Sequence, residues 1–401
     1  MIKLKMFLNK NYDLIICLLI IILPFSKAIP NLILGLLILI FTISFKKQYL
    51  EVFFKSSFFV LLLLVLLLYL QAILNGTFII DISIYERFLY LIIIPILFLK
   101  VENFNLIKNI SLITINITIL VSTYFIFDFY QIYNFIPMGD GWSINKVLLL
   151  ERPYSGMFSV ISIILSFDLM QKNDRFHFIY LLSLLVSVFF IFFISIRISI
   201  IIVFVLIFIY LLFYLKINYL KKIYFFIAIF STSVLLFSIN KNISKRFFIS
   251  ETIQKTIQKI NKSEPRVVIW GCAKEITQQK DFSVFFGTIS YTNINNSLIR
   301  CYESSIEDYS RKNHFLEHKY NTHNQFIDFY LIGGLLAIFI FFIFFIFSIY
   351  KNNKNFFSIA IIISFFSFLM IENVFHRQFG CFIFAIFTAI YLINPKTHEC
   401  Q

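Results

Sequence analysis

The sequence predicts an all-α, polytopic integral membrane protein with about twelve transmembrane helices and one long loop. Of its 401 residues, 60% are hydrophobic, 55 are phenylalanine and 14% are charged, which is too little polar surface for a soluble protein. The apolar residues form long continuous runs, whereas the strands of a membrane barrel would alternate apolar and polar side chains. The spans are therefore expected to be helices.

The apolar runs are each close to the roughly 20 residues that cross a hydrocarbon layer about 30 Å thick. The second and fourth predicted spans are the shortest. The spans cover residues 12–28, 30–45, 57–75, 85–99, 107–134, 153–170, 178–196, 198–215, 222–240, 326–350, 356–374 and 378–394. Lysines precede the first run, as in a signal peptide, but a second run follows at once and no small-residue cleavage pattern is present. The first run is therefore expected to remain as a span.

The distribution of lysine and arginine predicts the topology. With the N-terminus inside, short cytoplasmic segments contain sixteen of these residues, short outer segments contain six, and the loop 241–325 contains the other thirteen. Short cytoplasmic segments are enriched in lysine and arginine, while long loops escape this rule. We expect both termini in the cytoplasm, nine spans in 1–240, an extracytoplasmic loop in 241–325, and three spans with a short tail in 326–401. The net charge of +14 then reflects topology, and no nucleic-acid partner is expected.

The long loop contains the segment KSEPRVVIWGCAKEI, residues 262–276, which predicts a helix. Ser263 suits the N-cap and Pro265 suits the first turn. Apolar residues recur at every third position, and Trp270 among them favours a membrane interface. The predicted apolar face consists of Val267, Trp270, Ala273 and Ile276. Arg266 near the start of this helix is either a solvated surface residue or part of a binding site.

Neither the cysteines nor the carboxylates indicate a metal site. The five cysteines lack metal-ligand spacing. The carboxylates within the spans, such as Asp128 and Asp168, are scattered and do not form a pair. Cys272 and Cys301 share the outer loop, where they either form a disulfide or are two unrelated thiols. No metal and no cofactor are expected.

Three arginines are expected at the outer ends of spans. Arg197 lies between two spans with hardly any loop, where it either reaches the lipid headgroups or binds a ligand. Arg152 either joins the same site or pairs with Glu151. In the segment IENVFHRQFG, Arg377 and Glu372 form either a structural ion pair or part of a site.

A histidine begins the tenth span, in the segment KYNTHNQFIDFYLIGGLLAIF, residues 319–339. Arginine forks bind phosphate oxygens, and histidine readily accepts a proton near neutral pH. His323 near basic residues at a membrane surface therefore predicts a transfer reaction on an anionic, lipid-linked substrate. Asn324 either orients His323 or caps the helix. Gly333 and Gly334 are expected about 15 Å deeper along one straight helix, where they let a neighbouring helix approach.

The same segment resembles the signature of O-antigen ligases, which are bacterial membrane glycosyltransferases related to O-antigen polymerases. His323 and Asn324 are followed by nine residues and then Gly334, as in that family. Three positions later the family has glycine, threonine or tyrosine, whereas this chain has the small residue Ala337.

Three further segments resemble parts of the same family. EPRVVIW, followed by Gly287, is similar to its Arg–Trp segment and later glycine. SIRIS is similar to its Ser–Arg pattern, although Ile196 separates the two residues here. IENVFHRQFGCFIFAIF is similar to the ending of some members. The resemblance covers roughly residues 150–394.

The resemblance implies a glycosyltransferase C-like membrane fold in the bacterial inner membrane, with the long loop periplasmic. It also implies lipopolysaccharide or other polysaccharide biosynthesis by metal-independent transfer of a glycan. The glycan would move from undecaprenyl pyrophosphate to a sugar hydroxyl of lipid A-core or another glycan acceptor. His323 would be the general base, Arg197 and Arg266 would hold pyrophosphate, and Arg377 would have a phosphate-binding or structural role. The supporting residues would be Arg152, Asn324, Glu372 and Trp270.

Three other functions fit the same residues. A polymerase would join two carrier-linked repeats on a similar fold, and a related transferase would glycosylate protein serine or threonine. A transporter or flippase of lipid-linked glycan would also need outer basic residues. However, transporters usually contain repeated halves, and the sequence shows no internal repeat.

Overall fold

The computed structural model describes residues 10–136, 141–172, 174–225, 227, 231, 264–288 and 290–393. Over these residues the chain is helical, and its only extended pairing is an isolated bridge between Ser283 and Gly287. The helices before the long loop are α1 (Tyr12–Ile22), α2 (Ile29–Ile43), α3 (Lys47–Lys55), α4 (Phe58–Leu74), α5 (Ile82–Phe98), α6 (Phe104–Tyr133), α7 (Gly141–Val147), α8 (Arg152–Lys172), α9 (His177–Phe193) and α10 (Arg197–Ile209). Those that follow are α11 (Pro265–Ile276), α12 (Tyr291–Ser305), α13 (Tyr309–His318), α14 (Gln325–Asn352), α15 (Phe356–Leu369) and α16 (Gln378–Leu392).

Helices lie over eleven of the predicted spans, and the ninth, 222–240, falls mostly outside the described residues. Four helices are long and apolar enough to cross a membrane singly: Phe104–Tyr133, Arg152–Lys172, Arg197–Tyr214 and Gln325–Asn352. A fifth span results if α2 and α3, which meet at a bend of 117°, count together. The expected all-α fold with several membrane-length apolar helices is thus present, while the number of spans stays a prediction.

Polar contacts sort the helix ends into two faces of the bundle. On one face, the Lys351 ammonium group donates to the Lys55 carbonyl, and that of Lys100 lies 2.5 Å from the Ser44 hydroxyl. We call this end the lysine face. On the opposite face, Arg377 pairs with Glu151, and Gln378 donates to Asn31 over 2.7 Å. We call this end the site face.

Helix α14 is broken at Gly334, whose φ of 64° and ψ of −161° are not helical. Its first half begins beside α15, where the Phe326 and Phe366 ring centroids are 5.1 Å apart. The Phe326 ring also lies 5.2 Å from that of Phe342, although a straight helix would separate these residues by about 24 Å. The two halves of α14 therefore form a V with Gly334 at its apex. The prediction that the glycines lie deeper than His323 on one straight helix is wrong.

The two glycines have different neighbours, which corrects their shared assignment to helix packing. A Cβ atom on Gly333 would lie 2.7 Å from the Leu68 side chain of α4, so Gly333 does admit a neighbouring helix. A Cβ on Gly334 would lie 2.3 Å from the backbone of Phe285, which belongs to a loop. Gly334 therefore permits a loop rather than a helix to approach.

Helices α11, α12 and α13 form a unit on the site face. A disulfide joins Cys272 of α11 to Cys301 of α12, which resolves the alternative left open by the sequence. The Asp81 carboxylate before α5 accepts hydrogen bonds of 2.8 Å and 3.0 Å from the backbone N–H groups of Tyr291 and Thr292. The start of α12 is thereby attached to the helical bundle.

The predicted loop helix is present as α11, but two of its details differ. Its N-cap position is Glu264, followed by Pro265 at the first helical position, while Ser263 lies outside the described residues. Val267 and Trp270 are 40% and 38% exposed. The buried face instead consists of Ile269, Cys272, Ala273 and Ile276. This spacing of three, four and seven residues follows one side of a helix.

Candidate functional site

Five charged or titratable side chains form a continuous chain on the site face. The Arg197 guanidinium lies 3.7 Å from the Glu264 carboxylate, which lies 3.0 Å from the Arg266 guanidinium. Arg266 is in turn 3.7 Å from the Glu372 carboxylate, and the other oxygen of Glu372 is 3.3 Å from Nδ1 of His323. We call this arrangement the ionic chain. It joins Arg197, Arg266 and His323, which the sequence placed in one site.

Arg197 is held in place by the turn before α10. It is the first residue of that helix, and Ser195 just before it has a φ of 51°. The buried Arg152 donates to the carbonyl groups of Ile194 and Ser195, the latter over 3.3 Å. Arg152 therefore supports the turn that presents Arg197, while the neighbouring Glu151 pairs with Arg377.

Arg377 does not join the ionic chain. Its guanidinium pairs with Glu151 and lies over the Tyr154 ring, 5.6 Å from the centroid. The alternative of a Glu372–Arg377 ion pair is wrong, because Glu372 faces Arg266 and His323 instead. Arg377 thus connects the starts of α8 and α16.

The backbone around His323 is fixed on both sides. His323 has a left-handed φ of 45°, which is uncommon for a residue with a side chain. Before it, the Thr322 carbonyl accepts a 3.0 Å hydrogen bond from the Trp270 indole. After it, the Asn324 side chain accepts bonds of 2.9 Å and 3.0 Å from the N–H groups of Phe326 and Ile327. Asn324 thus caps α14, the second of its two predicted roles.

A second layer of polar residues lies behind this segment. The Asn373 side-chain oxygen accepts from the Thr322 hydroxyl over 3.0 Å and from the Asn324 N–H over 2.5 Å. The Asn373 amide also donates to Asp328 over 3.2 Å, and Asp328 lies 2.9 Å from Nε2 of His376. Asn373 therefore clamps the residues on either side of His323.

Sequence reasoning missed Glu264, Asn373 and Asp328. Signals for them exist, since Glu264 immediately precedes the Pro–Arg pair, and Asn373 follows Glu372. Asp328 is a charged residue in the first turn of a mainly apolar helix, which by itself marks a functional or structural partner. Their pairings depend on contacts between distant segments.

The geometry of the ionic chain permits acid–base chemistry and anion binding. With Nδ1 directed at Glu372, the Nε2 atom of His323 is the ring nitrogen left for another molecule, a common arrangement for a histidine base. Among the described residues, the one ion pair of Arg197 is its 3.7 Å contact with Glu264, and its side chain is 45% exposed. Arg197 is therefore the most accessible cation of the ionic chain. Within the described residues, Nε of Arg266 is buried and has no hydrogen-bond partner.

Among the described residues, no group of three or more histidine, cysteine, aspartate or glutamate side chains is arranged to hold a metal ion. In the ionic chain, arginine alternates with glutamate. The arginine side chains can therefore contact an anionic ligand directly.

No protein-family model matches the chain, and no curated protein sequence matches it.

Proposed function

We propose that the protein is a membrane glycosyltransferase of the O-antigen ligase type. In this proposal, twelve spans cross the bacterial inner membrane, both termini are cytoplasmic, and the site face is periplasmic. A glycan moves from undecaprenyl pyrophosphate to a hydroxyl of a lipid A-core sugar. The observation that carries the proposal is the ionic chain, which places two arginines and a histidine–glutamate pair in one site.

The arginines would stabilise the departing pyrophosphate. As the bond between the anomeric carbon and the phosphate oxygen breaks, negative charge grows on that oxygen, and nearby guanidinium donors lower the barrier. Arg197 is exposed and only loosely paired with Glu264, so a phosphate can compete with that carboxylate. Arg266, which also donates to the Ile371 carbonyl over 3.1 Å, would bind the same group from a fixed position.

His323 would activate the acceptor. Its Nε2 atom takes the proton of the sugar hydroxyl while the hydroxyl oxygen bonds to the anomeric carbon from the side opposite the pyrophosphate, which inverts the configuration. The Glu372 carboxylate at Nδ1 orients the ring and stabilises the imidazolium ion. The exposed fraction of the Glu372 side chain is only 11%, so water screens this interaction weakly.

The alternative functions are separated by their products. Purified wild-type protein in vesicles would be given lipid-linked glycan and lipid A-core, and the products would be separated by mass. We expect the glycan on the core sugar, with free undecaprenyl pyrophosphate released. Longer lipid-linked chains without core attachment would indicate a polymerase. Movement of the donor across the vesicle membrane without any new glycosidic bond would indicate a transporter, and both results would exclude a ligase.

A further inference from the structure

A short apolar turn projects from the unit formed by α11, α12 and α13. Backbone hydrogen bonds of 2.6 Å and 3.3 Å join Ser283 and Gly287 at its base. Between them lie Val284, Phe285 and Phe286, which are 49%, 66% and 49% exposed. Three consecutive large apolar side chains at the tip of a loop are costly to leave in water.

The turn occupies the break in α14 and completes its hydrogen bonding. The Thr288 N–H donates over 2.7 Å to the carbonyl of Leu331, in the last turn of the first half. The Val284 carbonyl accepts over 2.9 Å from the N–H of Leu335, which begins the second half. Both helix ends at Gly334 therefore obtain partners from the turn, as buried or lipid-exposed backbone groups require.

Two glycines fix how closely the turn approaches. A Cβ atom on Gly287 would lie 2.4 Å from the Leu331 carbonyl oxygen, and one on Gly334 would lie 2.3 Å from the carbonyl carbon of Phe285. Both glycines also have positive φ, of 69° and 64°. Because backbone packs on backbone, the two glycines fix the position of the turn along α14.

The position along α14 gives the depth of the turn in the bilayer. The second half of α14 ends on the lysine face, where Lys351 contacts the Lys55 carbonyl. From Lys351 to Gly334 there are seventeen residues, or about 26 Å of helix, against a hydrocarbon layer of about 30 Å. With Lys351 placed at the inner edge of that layer, the apex of the V lies about 4 Å inside the outer edge, and helix tilt would place it deeper.

The side chains of α14 beside the turn are also apolar and exposed. Leu335, Leu336 and Phe339 of α14 are 45%, 36% and 63% exposed, which is expected of a lipid-facing helix surface. The turn extends this apolar surface to the unit that supplies Arg266 and Trp270.

We propose that the turn 283–287 is a membrane-inserted anchor, whose three apolar side chains contact the acyl chains of the outer leaflet. It attaches the unit of α11, α12 and α13 to the bilayer at the level of the α14 break. This inference depends on α14 crossing the membrane and not on the proposed reaction.

Collision measurements with a nitroxide label test the proposal. Phe285→Cys and Val284→Cys would each be labelled in a protein in which Cys17, Cys381 and Cys400 are replaced by serine. The labelled proteins would be reconstituted in phosphatidylethanolamine–phosphatidylglycerol vesicles. We expect both labels to collide more with oxygen, which concentrates in hydrocarbon, than with a water-soluble nickel chelate. Ile346→Cys, 64% exposed on the second half of α14, is the hydrocarbon control.

Tyr309→Cys, at the 77% exposed start of α13, is the aqueous control. Labels at Val284 and Phe285 that collide with the nickel chelate as often as the Tyr309 label would overturn the proposal. If the labelled variants fail to fold, the wild-type protein gives the answer. Acyl-chain diazirine lipids should cross-link the peptide containing residues 283–287 and spare the α13 peptide, and the reverse pattern would exclude insertion.

Discussion

Substitution of Glu372 distinguishes between its two possible roles, which are to stabilise the imidazolium ion of His323 and to orient Arg266 toward the donor. Glu372→Gln preserves the shape of the side chain but removes the charge that faces both His323 and Arg266. If the carboxylate stabilises the imidazolium formed during transfer, then kcat should fall. If it only orients Arg266 toward the donor, then KM for the lipid-linked donor should rise while kcat changes little.

The expected size of the effect follows from the geometry. Unit charges separated by the 3.3 Å between Nδ1 and the carboxylate interact by about 1 kcal/mol at the dielectric constant of water and by about 5 kcal/mol at an effective value near 20. The exposed fractions of 23% for His323 and 11% for Glu372 place this pair between those limits. Since 1.36 kcal/mol corresponds to a factor of ten in rate, kcat should decrease roughly tenfold to a thousandfold.

The assay is steady-state transfer from lipid-linked glycan at saturating acceptor, with the unfolding temperature measured in parallel. Glu303→Gln, an exposed glutamate of α12 outside the ionic chain, is the matched control and should retain wild-type kcat. A correctly folded Glu372→Gln enzyme with wild-type kcat and KM would refute the assignment of Glu372 to this site.

Three further predictions concern the framework of the site. Gly334→Ala should lower the unfolding temperature strongly, because the new Cβ would lie 2.3 Å from backbone atoms at a position with positive φ. The control Gly35→Ala in α2, whose new Cβ would have no atom within 4 Å, should be neutral or mildly stabilising. Equal unfolding temperatures of the two variants would contradict the V-shaped α14. Asn373→Ala should reduce kcat by about tenfold or more through loss of its bonds to the segment around His323, and unchanged kinetics would show that this segment is rigid without the clamp. Replacing both Cys272 and Cys301 by serine should lower the free energy of unfolding by about 3–4 kcal/mol, which is the chain-entropy value for their separation of 29 residues. Identical denaturant unfolding curves for the variant and the wild type would argue against the disulfide.

Much of the helical framework could be predicted because it depends on local composition. Continuous apolar runs cannot satisfy their backbone groups in lipid except as helices, and helices lie over the runs wherever the structure describes them. The gathering of Arg197, Arg266 and His323 was also predictable. Arg197 and His323 are costly within lipid and were therefore expected at helix ends on the outer side, and Arg266 lies in the long loop that was expected on the same side.

The break in α14 could not be predicted from its own segment. The run that contains Gly333 and Gly334 is apolar throughout, and paired glycines fit close helix packing equally well. The feature that distinguishes the two cases is the turn 283–287, which lies about fifty residues earlier in the chain and supplies the missing hydrogen bonds. A pairing over this distance leaves no periodic signal in the sequence.

The partners of the charged residues could not be predicted either, because they depend on the tertiary structure. Arg152, Arg377, Glu151 and Glu372 all lie at helix ends on the site face, so sequence position permits several pairings among them. The observed choice follows from how α8, α10, α11 and α16 pack, since Arg152 reaches the carbonyl groups before α10 and leaves Glu151 to Arg377.

In the proposed mechanism, His323 is the base of a glycosyl transfer whose donor is held by Arg197 and Arg266. The most direct test compares His323→Ala with wild type, measuring transfer and donor binding on the same preparations, with His177→Ala, an exposed histidine at the start of α9, as the control. Loss of a general base lowers the rate by about 10²–10⁴-fold. We therefore predict that His323→Ala binds lipid-linked glycan normally but transfers it at least about a hundredfold more slowly than the wild type. His177→Ala should transfer glycan at the wild-type rate. Near-normal transfer by a folded His323→Ala protein would contradict the proposed mechanism.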